Sequence, residues 1–281
     1  ITVESISLAA VALRHAGFDR IRLRKELLSA RNRDGSWPAF SGDDADGCWA
    51  TALAVFALSS AGYPAEDYVL GVEWLLGARG HEADWPWRWK FRMIDTSVEF
   101  DPRKYGWSWV SGTTSWVIPT AFSLIALERV KHLGVARTRA LEERIELGVG
   151  MLLDRMCPGG GWNAGNGVAF GIPYAPYVDA TSIALLALQD RRYEPGVQAS
   201  VSWLVMHLPG CPSPYSLAWG VLALAVYKRT APKAAEALPA AAGALVALLS
   251  AGLVPKEPST LATCVLALEA IEGDNVFEVN G

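Results

Sequence analysis

The 281 residues carry 25 Lys and Arg against 29 Asp and Glu, a net charge of −4 spread along the chain. No basic stripe is offered to phosphates, so nucleic acid is excluded as a partner class. With 51% of residues hydrophobic but no uninterrupted apolar run of about 18 residues, the composition predicts a large core and no membrane span.

Residues 4–13, ESISLAAVAL, open the chain as an apolar stretch at helical spacing that stops before Gly17, a helix terminator. Residues 20–30 carry far more charge, with Ile21, Leu23, Leu27 and Leu28 on one side, the pattern of a helix that covers something on one face only. Residues 31–47, RNRDGSWPAFSGDDADG, hold the turn residues of a loop. Residues 48–58, CWATALAVFAL, then return to a nearly seamless apolar helix. The alternation recurs. One-sided helices near residues 66–78, 138–156, 196–207 and 233–250 lead through loops into all-round apolar helices at 115–131, 177–188, 216–224 and 259–268. Superposing the apolar copies on their final leucine sets Leu13, Leu58, Leu127, Leu188, Leu224 and Leu268 in register, at intervals of roughly 35 to 70 residues, as in stacked helical units.

All-round apolar helices alternating with one-sided ones are what two concentric layers require. The sequence therefore predicts an all-α chain, residues 1–281 forming a single domain of six inner and five outer helices. A sixth outer helix would have to precede Ile1. The chain starts without an initiator Met, which leaves a trimmed leader and export open. The periodicity alone permits an open solenoid as well as a closed ring.

The motifs DGSW at residues 34–37, YGWSW at 105–109 and GGGW at 159–162 each precede a helix of the T-x-x-x-L-x-A-L type. They resemble the prenyltransferase and squalene-oxidase repeat family, which includes squalene–hopene cyclases, class II diterpene cyclases and the β subunits of protein prenyltransferases. The resemblance covers essentially the whole chain. It implies a closed α/α toroid with six inner and five or six outer helices. It also implies a terpenoid cyclase-like enzyme that protonates or cyclises a hydrophobic isoprenoid-like small molecule in an aromatic-lined central cavity. A partner subunit would follow from the prenyltransferase likeness.

Class II cyclases carry D-x-D-D at the start of an inner helix, the middle Asp protonating an alkene. The matching window is Tyr177-Val178-Asp179-Ala180, in which Asp179 alone is retained. The run Asp43-Asp44-Ala45-Asp46 has a similar composition in another order and lies ahead of its helix. Prenyltransferase β subunits hold zinc through an Asp-x-Cys pair and a later His. Asp46-Gly47-Cys48 matches the pair, but His15, His81, His132 and His207 fall at helix ends or in outer elements. Zinc needs at least three protein ligands, so the expectation is no metal and no other cofactor.

Nine residues before the register leucine, the six inner helices present Glu4, Trp49, Ile118, Asp179, Tyr215 and Ser259. Asp179 is the candidate general acid. The alternative is that it complements the helix dipole or caps free N–H groups. Trp49, Trp107, Trp109, Trp116, Tyr177, Tyr215 and Trp219 are the candidate substrate-binding wall, where aromatic faces would stabilise a carbocation. The alternative for the loop tryptophans is plugging of one repeat against the next, as expected of Trp37 and Trp162. The segment 81–114 reads as a long loop with Asp84, Asp95, Glu99, Asp101, Arg88, Arg92, Arg103 and Lys104, of a length that is usually functional or mobile. GGGWNAGNG neither follows a strand nor precedes a basic helix, so it is no phosphate loop. Four cysteines without a CxxC pair suit a reducing cytoplasm. Two readings stand: the cyclase-like enzyme, and a non-catalytic toroid binding a lipid, carbohydrate or peptide.

Overall fold

The hydroxyl of Thr2 accepts the Ser5 N–H at 3.0 Å and so satisfies a free donor at the start of the first helix, α1 (Val3–Ala12). In the computed structural model, which describes residues 1–42, 46–94 and 99–279, helices account for nearly all regular structure. The chain divides into two compact units, Ile1–Thr96 with Asp101–Asp154, and Ser97–Phe100 with Arg155–Gly281.

The first unit holds α1, α2 (Gly17–Ala30), α3 (Ala50–Ser60), α4 (Val69–Gly77), α5 (Trp85–Met93), α6 (Val117–His132) and α7 (Arg139–Asp154). Here α1, α3 and α6 pack side by side with α3 in the middle, while α2, α4 and α7 cover α1, α3 and α6 in turn. The inner row is apolar on every side because it is buried on every side: no residue from Ala50 to Ser59 is more than 2% exposed. The outer α7 buries one stripe instead, Leu141, Arg144, Ile145, Gly148, Val149, Met151 and Leu152. Backbone bonds from Val3 N–H to Ala39 C=O at 2.9 Å and from Trp49 N–H to Trp109 C=O at 3.1 Å tie the starts of α1 and α3 to the loops ahead of α3 and α6 respectively.

The second unit repeats the plan. Its inner row is α8 (Val178–Ala187), α10 (Pro214–Tyr227) and α12 (Pro258–Glu272), with α10 in the middle. The outer helices are α9 (Pro195–His207) and α11 (Pro232–Ser250). A two-stranded antiparallel hairpin, β1 (Val168–Ala169) and β2 (Ile172–Pro173), stands ahead of α8. Its two-residue turn, Phe170 and Gly171, has φ of 55° and 69°, the left-handed pair that a tight hairpin of this twist needs. After α12 the chain folds back onto its own unit. Gln189 donates to Phe277 C=O at 2.8 Å and accepts the Val279 N–H at 3.0 Å, and the Phe277 ring sits 5.2 Å from that of Trp219.

The six inner and five outer helices are thus present among the described residues, and α5 is an addition. Segment 81–114 was expected to be loop. Instead Trp85, Trp89 and Met93 fall on one face of a helix that begins after an extended Asp84, with Pro86 in its first turn, where the missing N–H costs nothing. The register leucines Leu58, Leu127, Leu188 and Leu224 are at most 1% exposed, whereas Leu13 is 38% exposed and Leu268 half-buried. One helix, α11, is long and apolar enough to cross a membrane by length and composition, with a mean hydropathy of 1.3. Its sequence nonetheless holds no uninterrupted apolar run of that length, because Lys233, Glu236 and Pro239 fall within it. In the fold it buries one stripe, Ala234, Leu238, Ala241, Ala242 and Leu245, and it packs on α10, α9 and α12.

A repeated clasp connects the layers. In DGSW, the Trp37 N–H donates to the Thr51 hydroxyl at 2.9 Å, and that hydroxyl donates back to Trp37 C=O at 3.2 Å. Trp107 does the same with Thr120, and Trp162 with Thr181, at 2.9 Å each for the N–H. The indole N–H of Trp37 then donates to Leu27 C=O in α2, and that of Trp107 to Leu75 C=O in α4, both at 2.8 Å. All three rings are at most 2% exposed. Two residues before the tryptophan, Gly35 has φ of 87° and lies where a Cβ would meet the Leu70 backbone at 2.6 Å, and Gly160 stands equally close to Ala199 and Ser200. Only glycine allows that approach.

The last inner helix is capped by an acid. Glu257 accepts from Ser259 N–H at 3.1 Å, from Thr260 N–H at 2.8 Å and from both hydroxyls. Partial burial pushes its carboxyl up, but these hydrogen bonds outweigh it and hold the group at about 2. A depressed carboxyl contributes stability above its unfolded value and loses it as pH falls toward the folded one. Stability is therefore expected to fall between about pH 4.5 and pH 2 through this group. Glu257→Ala should cost about 1 kcal/mol at neutral pH and flatten that part of the profile, as acid titration of the unfolding midpoint would read out.

Candidate functional site

The clasp fixes what stands at the start of each inner helix. Besides the threonine contact, Trp37 C=O accepts Cys48 N–H at 3.0 Å, Trp107 C=O accepts Trp116 N–H at 3.0 Å and Trp162 C=O accepts Tyr177 N–H at 2.8 Å. The residue two before each clasped threonine is held between these two points. Those residues are Trp49, Ile118 and Asp179.

In the first unit this position opens on a cavity of about 220 Å³, whose lining includes Trp49, Trp74, Arg79, Trp107, Ser111 and Ser123. Trp49, one of the expected aromatic residues, is in that lining, and Trp109, another, packs against it edge to face at 5.1 Å without lining the cavity itself; Phe122 lies at 5.9 Å from Trp49. Trp107 contributes to the lining, but it is 2% exposed and locked by the clasp, in the same manner as Trp37 and Trp162. Trp116 is half-buried and immediately precedes α6. Sequence reasoning missed Trp74, Arg79, Ser111 and Ser123. Of these, Ser123 was concealed within an apolar helix and Trp74 within an outer one.

The first unit also contains a buried cation against Trp107. Arg144 donates to Gly106 C=O at 2.6 Å and to Ala78 C=O, at the end of α4, at 2.9 Å, and its guanidinium lies 3.3 Å from the Trp107 ring centre. Burial takes it down to about 9, against the pull of Tyr105 and Glu82. Buried Glu82 in turn accepts the Ser115 N–H at 3.1 Å. These charges serve helix ends and backbone, which accounts for their burial without chemistry.

In the second unit, Asp179 is the second residue of α8. It is half-buried, it does not cap the helix, and its carboxylate enters no hydrogen bond or ion pair with another described residue. Tyr177, just ahead of it, is 55% exposed. Tyr215 and Trp219 lie on the adjacent α10 with rings 6.1 Å apart, Tyr215 half-buried and Trp219 fully buried against Phe277. The candidate acid and three of the aromatics therefore belong to one unit, and the other four aromatics to the other.

Of the acidic run, Asp43 and Asp44 lie outside the described residues, and so does Asp95. Asp46 is exposed and Cys48 buried. Among the described residues, no three His, Cys, Asp or Glu side chains come together in a way that could hold a metal ion. All four cysteines are free thiols. Burial pushes Cys157 up and Cys264 up to about 11, which disfavours the thiolate a nucleophile needs. Compared with known proteins, the chain matches no protein-family model and no curated protein sequence.

Proposed function

We propose that the chain is a terpenoid cyclase-like enzyme in which Asp179 is the general acid. The observation that carries this reading is the position of Asp179. The clasp holds it at the position in the second unit that corresponds to Trp49 in the first, and no cap or ion pair with a described residue occupies its carboxylate. In the reaction, the proton of the carboxyl O–H would be transferred to a carbon of an alkene. The π pair forms the new C–H bond, a carbocation remains on the substrate, and the carboxylate stays behind. Tyr177 and Tyr215 supply aromatic faces near the start of α8 and α10 to bind such a cation. The substrate is a hydrophobic isoprenoid-like molecule, no cofactor takes part, and the free thiols fit a cytoplasmic protein.

The reaction conserves mass, because a proton gained at initiation is lost at termination. Incubation with linear isoprenoids should give an isomeric product that carries one deuterium when made in D2O. No isomer from any polyprenyl substrate, with the chain folded, would overturn the reading.

In this proposal the two inner rows close into one α/α toroid, supported by the shared plan of the units and by the six-fold leucine register. Spin labels on Leu13→Cys and Ile271→Cys, both partly exposed at the ends of α1 and α12, should then lie within about 20 Å. An open row of helices spaced about 8–10 Å apart would separate them by roughly 40–50 Å.

A second reading is favoured by the first unit's cavity. At about 220 Å³ it is smaller than the roughly 300–1,000 Å³ typical of ligand pockets, and hydroxyls and Arg79 share its lining with indoles. That suits a non-catalytic binder of a small polar ligand, such as a single sugar ring. Saturable binding of such a ligand, lost in Trp49→Ala and unaffected by Asp179→Asn, would favour it.

A further inference from the structure

We propose that α5 is an interfacial anchor that docks the chain on an anionic lipid bilayer. The helix reads WPWRWKFRM, and its two sides have different surroundings. Trp87, 36% exposed, is partnered locally, stacked on His81 at 5.1 Å and near Phe91 at 6.1 Å. On the other side Trp85, Trp89 and Met93 succeed one another at every fourth residue and are 77%, 52% and 67% exposed. Ile94, just past the helix, is exposed too. Two indoles and a thioether aligned in water form a surface feature of the kind that marks an interaction site. Arg88 lies beside the stripe, with one nitrogen on Ala83 C=O, and Lys90 lies over the Trp87 ring at 4.6 Å.

Charge identifies the occupant. From Trp85 to Ile94 the sequence has Arg88, Lys90 and Arg92 and no acid, within a chain of net charge −4. The acids just upstream are engaged elsewhere, Glu82 on Ser115 N–H and Asp84 on Arg79 at 3.1 Å. Asp95 follows the helix in sequence. A second copy of the same face would bring two sets of like charges together, which disfavours self-pairing. Indoles favour the headgroup level of a bilayer, and basic side chains favour anionic lipid. The helix presents the indoles on one side with Arg88 beside them, and Lys90 lies on its flank over Trp87. This inference stands independently of the cyclase reading.

Vesicle flotation tests it with the whole chain. The protein should float with vesicles of phosphatidylglycerol and phosphatidylcholine, much less with phosphatidylcholine alone, and should be released in about 1 M salt, where charges are screened within a few ångströms. Trp85→Ser with Trp89→Ser should lower the bound fraction at least tenfold while leaving the melting temperature and circular dichroism unchanged, since both indoles are exposed. Lys90→Glu should weaken binding tenfold or more by changing the charge by two. A parent chain that stays in solution with anionic vesicles would overturn the proposal, as would a double-serine variant that floats as well as the parent. A lipid-free dimer that the double-serine change makes monomeric would overturn it as well, identifying the stripe as a contact between copies.

Discussion

Asp179→Asn is expected to lower turnover of an isoprenoid by a hundredfold or more, the usual contribution of a positioned general acid, with the melting temperature and substrate binding nearly unchanged. The amide preserves the shape of the side chain and removes the transferable proton. No stability loss is expected, because the carboxylate is used by no hydrogen bond, ion pair or cap among the described residues. Asp46→Asn serves as the control and should have little effect, since Asp46 is exposed ahead of α3. Steady-state rates and binding constants measured on the same preparations distinguish the outcomes. An Asp179→Asn protein with full turnover removes the acid from the mechanism and leaves the binding reading as the better one.

The largest effects on stability are expected at the clasps. Trp37→Ala removes an indole that is fully buried, at a cost of about 3–5 kcal/mol. It also strands the Leu27 carbonyl that the ring N–H satisfied, at about 1–3 kcal/mol more. Against a total of about 5–15 kcal/mol for a folded domain, that leaves the first unit at the edge of unfolding. Trp107→Ala and Trp162→Ala should behave alike, which separates a structural role for Trp107 from a purely ligand-binding one. Thr51→Val is the finer probe. It keeps the shape and removes both hydroxyl bonds to Trp37, so that a loss of about 1–3 kcal/mol is expected in chemical denaturation. A Trp37→Ala protein that melts with the parent would show that the clasp does not hold the layers together.

The alternation of helices was legible because burial imposes it on sequence: CWATALAVFAL can be apolar all round only where every side is covered. The one-sided pattern of α2 was legible only in part: Leu27 is buried and Leu23 and Leu28 are half-buried, but Ile21, expected on the same face, is 69% exposed. The DGSW and GGGW motifs likewise announced tight glycine turns and buried tryptophans. Other features had no local signal. The helical character of WPWRWKFRM was hidden by a density of tryptophan that is rare in helices and by its place in a long insertion. The return of Phe277 onto Trp219 depends on a contact across 58 positions that no periodicity encodes. Asp179 could be located by register, but its lack of partners could be seen only once its neighbours were placed. Arg144, a charged residue on the outer helix α7, is interior because it finds three backbone carbonyls at the end of α4 and around Gly106.

The clasp also has a bearing on how such a chain could have been inherited. Its backbone partners lie close in sequence, 14 residues apart for Trp37 and Thr51, 13 for Trp107 and Thr120 and 19 for Trp162 and Thr181. The extra residues of the third copy are accommodated by the small β1–β2 hairpin. Copying or deleting a whole repeat by unequal recombination would therefore carry each tryptophan together with its threonine and break none of these bonds. Between the two, the loop is free to lengthen and drift from one generation of the gene to the next, ahead of the helices that carry Trp49 in the one unit and Asp179 in the other.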